Sequence, residues 1–345
     1  MKVLGIETSC DETACAVVED GKRILSNVVA TQIPFHKEYS GVVPEIASRK
    51  HSEWILPVTR QAIKEAGCGM GEIDAVAATN RPGLIGSLLV GLTFAKTLAW
   101  ALGKPFVAID HMTGHMYASH LAFDIPYPYL GLLVSGGHTI IVRVMGFDDW
   151  EILGGTIDDS AGEAFDKVAK FYELGYPGGV AIDTLAKKGD KRAFSFPIPK
   201  LDKGDHHYDV SFSGLKTAAI HQASSFLNAG FDSTPENLAA SFQETACRML
   251  VSRLLNAARD TGLATIVAGG GVAANSRLRQ MLQEQTHIRC IFPPLGLCGD
   301  NAAMIAGVAF HYLKRGDTSS LDTPAFARIE KFKRGLANLA AFGRR

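Results

Sequence analysis

Cysteine is scarce: six residues in 345 (Cys10, Cys15, Cys68, Cys247, Cys290, Cys298), with no CxxC pair and no ladder of short spacings. That usage argues against a disulfide scaffold or a cysteine zinc module and suits a reducing compartment. Long apolar runs are lacking too. The longest candidate, Gly83 to Ala95, is 13 residues and then meets Lys96, short of the roughly 20 residues that span a bilayer. Acidic residues arrive at once, at Glu7, Asp11 and Glu12, so no secretory leader is expected and the location is read as cytoplasmic, away from any membrane. Net charge is absent as well. Lys+Arg and Asp+Glu both number 35, so no global field steers the molecule onto nucleic acid. Neither GxxxxGK[ST] nor a well-placed GxGxxG occurs, which removes the P-loop and the dinucleotide-binding readings.

What is present is a well-stocked core: 47% hydrophobic against 20% charged residues excludes disorder, and the length favours two domains. Charge is uneven along the chain. Residues 187–203 and 321–345 each carry six basic against two acidic side chains, either solvated faces or contacts for RNA.

Val3 to Val18 reads as two strands joined by a short turn crowded with hydroxyls and carboxylates, and Tyr129 to Val144 repeats the pattern with a glycine turn. Two such hairpins suggest a duplicated α/β core with one copy per lobe. Between them, helices at 45–66 and 84–101 alternate with strands at 73–79 and 105–109, which favours crossover units and a partly parallel sheet. Asp124-Ile125-Pro126-Tyr127-Pro128 is the best linker. The first lobe is therefore placed at 1–123 and the second at 124–345. An irregular insertion is placed at about 150–235, and the C-terminal segment is a candidate to pack back on the first lobe.

Four constellations could carry chemistry. His111 and His115 stand at i and i+4, on one face of a helix, where both could reach one metal ion or simply pack. Met112 occupies the place where a zinc peptidase has its glutamate base, so hydrolysis by that motif is disfavoured. Ser135-Gly136-Gly137-His138-Thr139 and Gly269-Gly270-Gly271-Val272-Ala273-Ala274-Asn275 both follow strands, where backbone N–H groups can cradle phosphate. In Asp158-Asp159-Ser160-Ala161-Gly162-Glu163-Ala164-Phe165-Asp166-Lys167, Asp158 or Ser160 would cap a helix, and Asp166 could bind a ribose or be an exposed helix acid. In Cys298-Gly299-Asp300-Asn301, Asp300 reads as a helix N-cap, or as the carboxylate that completes two histidines in an open metal site suited to Fe(II) or Zn(II).

Taken together, Gly5 to Thr13, Gly41 to Glu45, His111 to His115, Val134 to Thr139, Ala161 to Lys167, Ser211 to Lys216, Gly270 to Asn275 and Cys298 to Met304 resemble the TsaD family, in the family's order and over residues 1 to about 310. The resemblance implies a two-lobed actin-like α/β fold, duplicated and ribonuclease-H-like, with an insertion in the second lobe. It implies a transferase moving a threonylcarbamoyl group from threonylcarbamoyl adenylate onto the exocyclic amine of the adenosine after the anticodon, in tRNAs reading codons that start with A. By matching positions it implies His111, His115 and Asp300 as ligands of one divalent metal ion, Fe(II) ahead of Zn(II). It implies Val134, Ser135, Gly136, Gly137 and His138 around the substrate phosphate or carbonyl. Asp166, Gly179, Asp183 and Asn275 would hold the nucleotide, and Asp11 and Glu12 would face the reacting group. Implied partners are tRNA, a shorter paralogous subunit (TsaB-like) and a small P-loop ATPase (TsaE-like). Gly299, Arg81 and Val180 depart from residues common in the family. The alternatives are a kinase or an ATP-dependent switch of the same superfold, with a metallopeptidase disfavoured.

Overall fold

Val3, Leu4 and Ile6 are fully buried around Gly5, so the strand they form is covered on both faces. In the computed structural model, which describes residues 1–201 and 206–328, this strand is β1 (Lys2–Glu7), the centre of a five-stranded sheet. It pairs antiparallel with β2 (Glu12–Glu19), which pairs antiparallel with β3 (Arg23–Thr31). On its other side β1 runs parallel to β4 (Ala75–Arg81), and β4 parallel to β5 (Phe106–Asp110). The parallel steps need crossovers, supplied by α1 (Pro44–Glu65) and α2 (Ile85–Leu102). Pro44 sits in the first turn of α1, where a missing N–H costs nothing. Gly103, with φ +61°, ends α2 in the left-handed conformation that glycine adopts freely.

The helix α3 (His111–Tyr117) follows β5 directly. The chain then enters a second compact unit at Pro126 and stays there to Phe292. Its sheet contains β6 (Tyr129–Val134), β7 (Thr139–Val144) and β8 (Trp150–Gly155). These are followed by helices α4 (Ala161–Phe171), α5 (Gly178–Ala186), α6 (Ser213–His221) and α7 (Pro235–Thr261). Strand β9 (Thr265–Gly269), helix α8 (Ser276–Gln283) and strand β10 (Arg289–Ile291) complete it. The strand order is β10-β9-β6-β7-β8. That is the order of the first sheet, β5-β4-β1-β2-β3, so the duplication expected from the two hairpins is present strand for strand. Phe165 of α4 meets Phe242 of α7 edge-on, centroids 5.1 Å apart, inside the second core.

From Pro293 the chain belongs to the first unit again, where α9 (Ala302–Arg315) packs on β1 and β2. The division between Ile125 and Pro126 falls inside the expected linker. The residues from Pro293 on, expected in the second lobe apart from a C-terminal segment packing back, belong to the first unit, because α9 covers the face of β1 that Gly5 leaves bare. A Cβ on Gly5 would lie 2.4 Å from the Ala302 carbonyl oxygen and 2.8 Å from the Ala306 nitrogen. The 150–235 segment is also more ordered than its composition suggests, since it holds β8 and three helices. Helix α2 runs past Lys96 as one 18-residue helix, and by length and composition alone it could cross a membrane. Its Leu88, Gly91, Leu92, Ala95 and Ala99 are buried, and the helix packs on α1 and β4. Of the two basic stretches, 202–203 and 329–345 lie outside the described residues. Lys187, Lys191 and Arg192 face Asp183, Glu244 and Asp190 at 3.2, 4.0 and 2.7 Å.

Substituting Gly5→Ala is expected to cost about 1–3 kcal/mol through overpacking against backbone. Urea unfolding checks this, and an unchanged midpoint would contradict the packing of α9 on β1.

Candidate functional site

The end of β5 sets up the first cluster. Asp110 caps α3, its Oδ1 accepting from Met112 N (2.8 Å) and Thr113 N (3.4 Å), and Arg81 lies 3.3 Å from its other oxygen. That cap starts the helix at His111 and puts His115 one turn on. Both imidazoles are buried, 8% and 2% exposed, with ring centroids 4.5 Å apart. Gly114 between them keeps α3 close to α9, since a Cβ there would meet Ile305 Cδ1 at 3.0 Å.

Asp300 comes from the loop before α9. The helix is capped by its neighbour: Asn301 Oδ1 accepts from Met304 N at 3.1 Å. The reading of Asp300 as the N-cap is therefore corrected. The Asp300 carboxylate instead sits against the histidines, with Oδ1 3.0 Å from His115 Nε2 and 3.5 Å from His111 Nε2. One donor atom from each of the three lies within 4.8 Å of the others. Donor atoms about 2.1 Å from one centre stand about 3.0–3.4 Å apart at octahedral or tetrahedral angles. The two histidine–Asp300 separations, 3.5 and 3.0 Å, match that spacing, so two imidazole nitrogens and a carboxylate could hold one small divalent ion and leave coordination positions open.

Sequence reasoning missed the residue behind this set. Glu7, fully buried at the end of β1, lies 3.1 Å from His111 Nδ1, accepts from Thr79 Oγ1 at 2.5 Å and from Ser9 N at 2.5 Å. A carboxylate on Nδ1 fixes the ring and turns Nε2 toward Asp300. Its signal was present, as an acid ending an otherwise apolar strand. Burial would lower the His111 pKa, but Asp300 and Glu7 outweigh it and raise it to about 9. Burial, then the neighbouring His111, lowers His115. Burial would raise Glu7, yet His111 holds it below the usual carboxylate range. His120 stays outside the set, stacked on Tyr117 at 5.2 Å, its pKa lowered to about 4 by burial and His311.

The acidic turn between β1 and β2 belongs to the same unit. Thr8 Oγ1 donates to Ser87 O at 2.8 Å, and α2 comes so close here that a Cβ on Gly91 would lie 2.2 Å from that hydroxyl oxygen. Half-buried Glu12 accepts from Thr31 Oγ1 at 3.2 Å. Burial, Asp11 and Asp300 push the Glu12 pKa well above its ordinary value, so Glu12 is biased toward the neutral acid.

In the second unit the loops of interest meet. Ser135 N donates to His138 O (2.8 Å) and His138 N to Ser135 Oγ (3.1 Å), which closes the turn after Val134. Gly162 and Gly270 let neighbours crowd it: a Cβ on Gly162 would lie 2.7 Å from Gly136 Cα, and one on Gly270 2.4 Å from Val134 O. Space beside Gly136, Gly137 and Gly179 is open, with nothing within 4 Å of a Cβ. Asp166 Oδ1 accepts from Gly178 N at 2.7 Å, tying α4 to the start of α5. Asp183 accepts from Ser276 Oγ at 2.6 Å and Ser276 N at 3.1 Å. Buried Asn275 caps α8, accepting from Arg277 N and Leu278 N at 3.0 Å each while its Nδ2 donates to Gln243 Oε1 at 2.9 Å. Ser160 caps α4, accepting from Glu163 N at 3.2 Å. Asp158 binds elsewhere, accepting from Phe212 N (2.8 Å), Ser213 N (3.2 Å) and Ser211 Oγ (2.5 Å) at the start of α6.

Two sheets of one topology, each with a hairpin turn after its central strand, define an actin-like α/β protein. Solved structures agree at the level of fold. The T. kodakarensis HypF structure superposes with a TM-score of 0.61 at 16% identity, over 91% of this chain and 48% of that one. The Acidaminococcus fermentans (R)-2-hydroxyglutaryl-CoA dehydratase component A superposes with a TM-score of 0.54 at 16% identity, over 92% and 100%. Within that class, residues 23–307 match the family model TsaD, tRNA N6-adenosine threonylcarbamoyltransferase. A curated relative of that name from Treponema denticola is 67% identical over 97% of this chain and 99% of its own. One from Borreliella burgdorferi is 52% identical over 96% of each. The chain belongs to the TsaD family and is a transferase of tRNA modification.

Glu7→Gln is expected to weaken Fe(II) or Zn(II) binding about 10–100-fold, measured by competition with a chromophoric chelator. Equal affinity would remove Glu7 from the centre. In the native chain metal must displace the His111 proton. With the His111 pKa at about 9, affinity should rise roughly tenfold per pH unit between pH 7 and 9 and level off above. A flat profile would contradict the charge pairing with Glu7 and Asp300.

Proposed function

We propose that the chain takes the threonylcarbamoyl group from threonylcarbamoyl adenylate and passes it to N6 of the adenosine after the anticodon, in tRNAs reading codons that start with A. His111, His115 and Asp300 would hold one divalent ion, Fe(II) ahead of Zn(II). The observation that carries this reading is the convergence of two imidazole nitrogens and one carboxylate oxygen within 4.8 Å, in the same unit as the acidic turn. When bound, the ion supplies a Lewis acid for the acyl carbonyl.

The chain's own groups do the rest. The amine attacks the carbamoyl carbon, the bond from that carbon to the phosphate oxygen breaks, AMP leaves, and the amine loses a proton. An adenine amine is a weak nucleophile, its lone pair shared with the ring, so positioning must supply much of the rate. Asp11 is the candidate acceptor for the amine proton, and Glu12, biased toward its neutral form, is a candidate hydrogen-bond donor beside it. For the adenylate, the turn Val134 to His138 offers backbone N–H groups and the open space at Gly136 and Gly137. Asp166, Asp183 and Asn275 are candidates for the nucleoside, with Gly179 leaving room beside it. Their carboxylates and amide already tie the α4, α5 and α8 ends together, so they act as frame as well as contact. A shorter paralogous subunit and a small P-loop ATPase are the partners this reading expects, in the cytoplasm.

Purified chain, incubated with threonylcarbamoyl adenylate, unmodified tRNA and those partners, should yield a threonylcarbamoyl nucleoside by mass spectrometry after digestion. His111→Ala should reduce the yield at least about 100-fold, in line with loss of one strong catalytic contribution. No adduct from the native chain would overturn the reading, and an undiminished adduct from His111→Ala would remove the metal from it.

A further inference from the structure

Three buried polar residues, Gln32, His36 and His51, have no place in the chemistry above. All are fully buried, which is costly for polar groups unless each atom is used. They are used, and the network has one consistent assignment of hydrogens. Cys10 O can only accept, so His51 Nε2, 3.0 Å away, carries the proton. His51 Nδ1 is then the acceptor for Thr13 Oγ1 at 2.8 Å. Gln32 Nε2 donates to Ala47 O at 3.3 Å, while its Oε1 accepts from His36 Nε2 at 3.3 Å. That leaves His36 Nδ1 to accept from Val43 N at 3.3 Å. Burial lowers the His51 pKa, consistent with a neutral ring.

The network ends on the acidic turn. Ser9 O accepts from Leu84 N at 2.8 Å, Cys10 O from His51 Nε2 at 3.0 Å, and Asp11 O from Gln32 N at 3.0 Å. Three successive carbonyls are thus held by three different segments: the start of α2, the middle of α1 and the end of β3. The middle clamp is the one made by a side chain. Thr13, the first fully buried side chain of β2, ties the same imidazole to the far end of the turn.

We propose that His51 is a positioning residue for threonylcarbamoyl transfer: through its Nε2–H to Cys10 O, it fixes the turn that presents Asp11 and Glu12. This rests on the transferase reading above. It acts on the rate step, not on binding of metal or substrates, since His51 reaches the reacting groups only through the backbone.

Two substitutions separate positioning from packing. The amide nitrogen of glutamine reaches about where Nε2 sits, whereas that of asparagine reaches only about where Nδ1 sits. His51→Gln is expected to keep kcat within about threefold. His51→Asn should lower kcat about 10–100-fold, the scale of a misplacement near 1 Å. KM for donor and tRNA and bound iron per chain should each stay within about threefold. The two variants falling together in step with their melting temperatures, or His51→Asn keeping native kcat, would overturn the proposal. A readout independent of turnover is amide exchange at Gln32, whose N–H is bonded to Asp11 O. It should quicken at least about tenfold in His51→Asn and not in His51→Gln. Should the native chain form no adduct, the transferase reading fails, while the exchange comparison still decides whether His51 holds the turn: unchanged exchange in His51→Asn would sink it.

Discussion

A carboxylate sealed from solvent needs every oxygen occupied, and the first unit is organised around how Glu7 meets that demand. One oxygen takes the Ser9 N–H at 2.5 Å, the other takes Thr79 Oγ1 at 2.5 Å and faces His111 Nδ1 at 3.1 Å. One side chain thus binds together β1, the acidic turn, β4 and α3. An unpaired charge there would cost several kcal/mol, so the pairing with His111 is obligatory, and it dictates which ring nitrogen remains for Asp300. The orientation of the ligand set is in this sense decided at residue 7, at the end of the first strand.

The two sheets share one topology and line its hairpin turn with different residues. In each, helices and strands are brought hard against the hairpin turn by glycine: Gly91 against Thr8 and Gly83 against Ser9 in the first unit, Gly162 against Gly136 and Gly270 against Val134 in the second. What differs is the content of the turn. The first is filled with hydroxyls and carboxylates, which favour a cation and proton transfer. The second is filled with glycine, which bares N–H groups to an anion. The strand order says only that a ligand-facing turn will exist after β1 and β6, and the residues in it decide the ligand.

Periodicity and turn chemistry were enough to reveal the duplication, both hairpins and the crossover helices, because each rests on local patterns of burial. What escaped depended on neighbours distant in sequence. Asp300 and Asn301 are both good caps, and only the fold shows that Asn301 takes the duty and leaves Asp300 to the histidines. The same ambiguity at Asp158 and Ser160 resolves the same way, with the later residue capping and the earlier one reaching 54 residues on to Phe212 N. Helix α7, 27 residues long and buried on much of its circumference, shows only a narrow polar stripe (Glu244, Arg248, Ser252, Asn256, Arg259) and so gave a weak periodic signal. That the chain returns to the first unit as early as Pro293, and not only in its C-terminal segment, was hidden because α9 is specified by the bare face of Gly5, almost three hundred residues earlier.

The electrostatics of the first unit argue for the ion on their own terms. Asp11, Glu12 and Asp300 influence one another strongly enough to push Glu12 well above its ordinary pKa, after burial the chief causes being those two acids. Cys10 is pushed up by burial and by the same three acids. No ion pair reaches Asp11 or Glu12 among the described residues, and the groups holding their turn are neutral: the hydroxyl of Thr31, the backbone N–H groups of Gln32 and Leu84, and the imidazole of His51. In the same unit Asp300 and Glu7 favour a proton on His111. A cluster of acids with no ion pair of its own favours binding a cation, and a divalent ion held at His111, His115 and Asp300 would offset its charge more fully than one proton can. It would also lower the pKa of Glu12, so that loading the ion and setting the protonation of the acidic turn become one linked event.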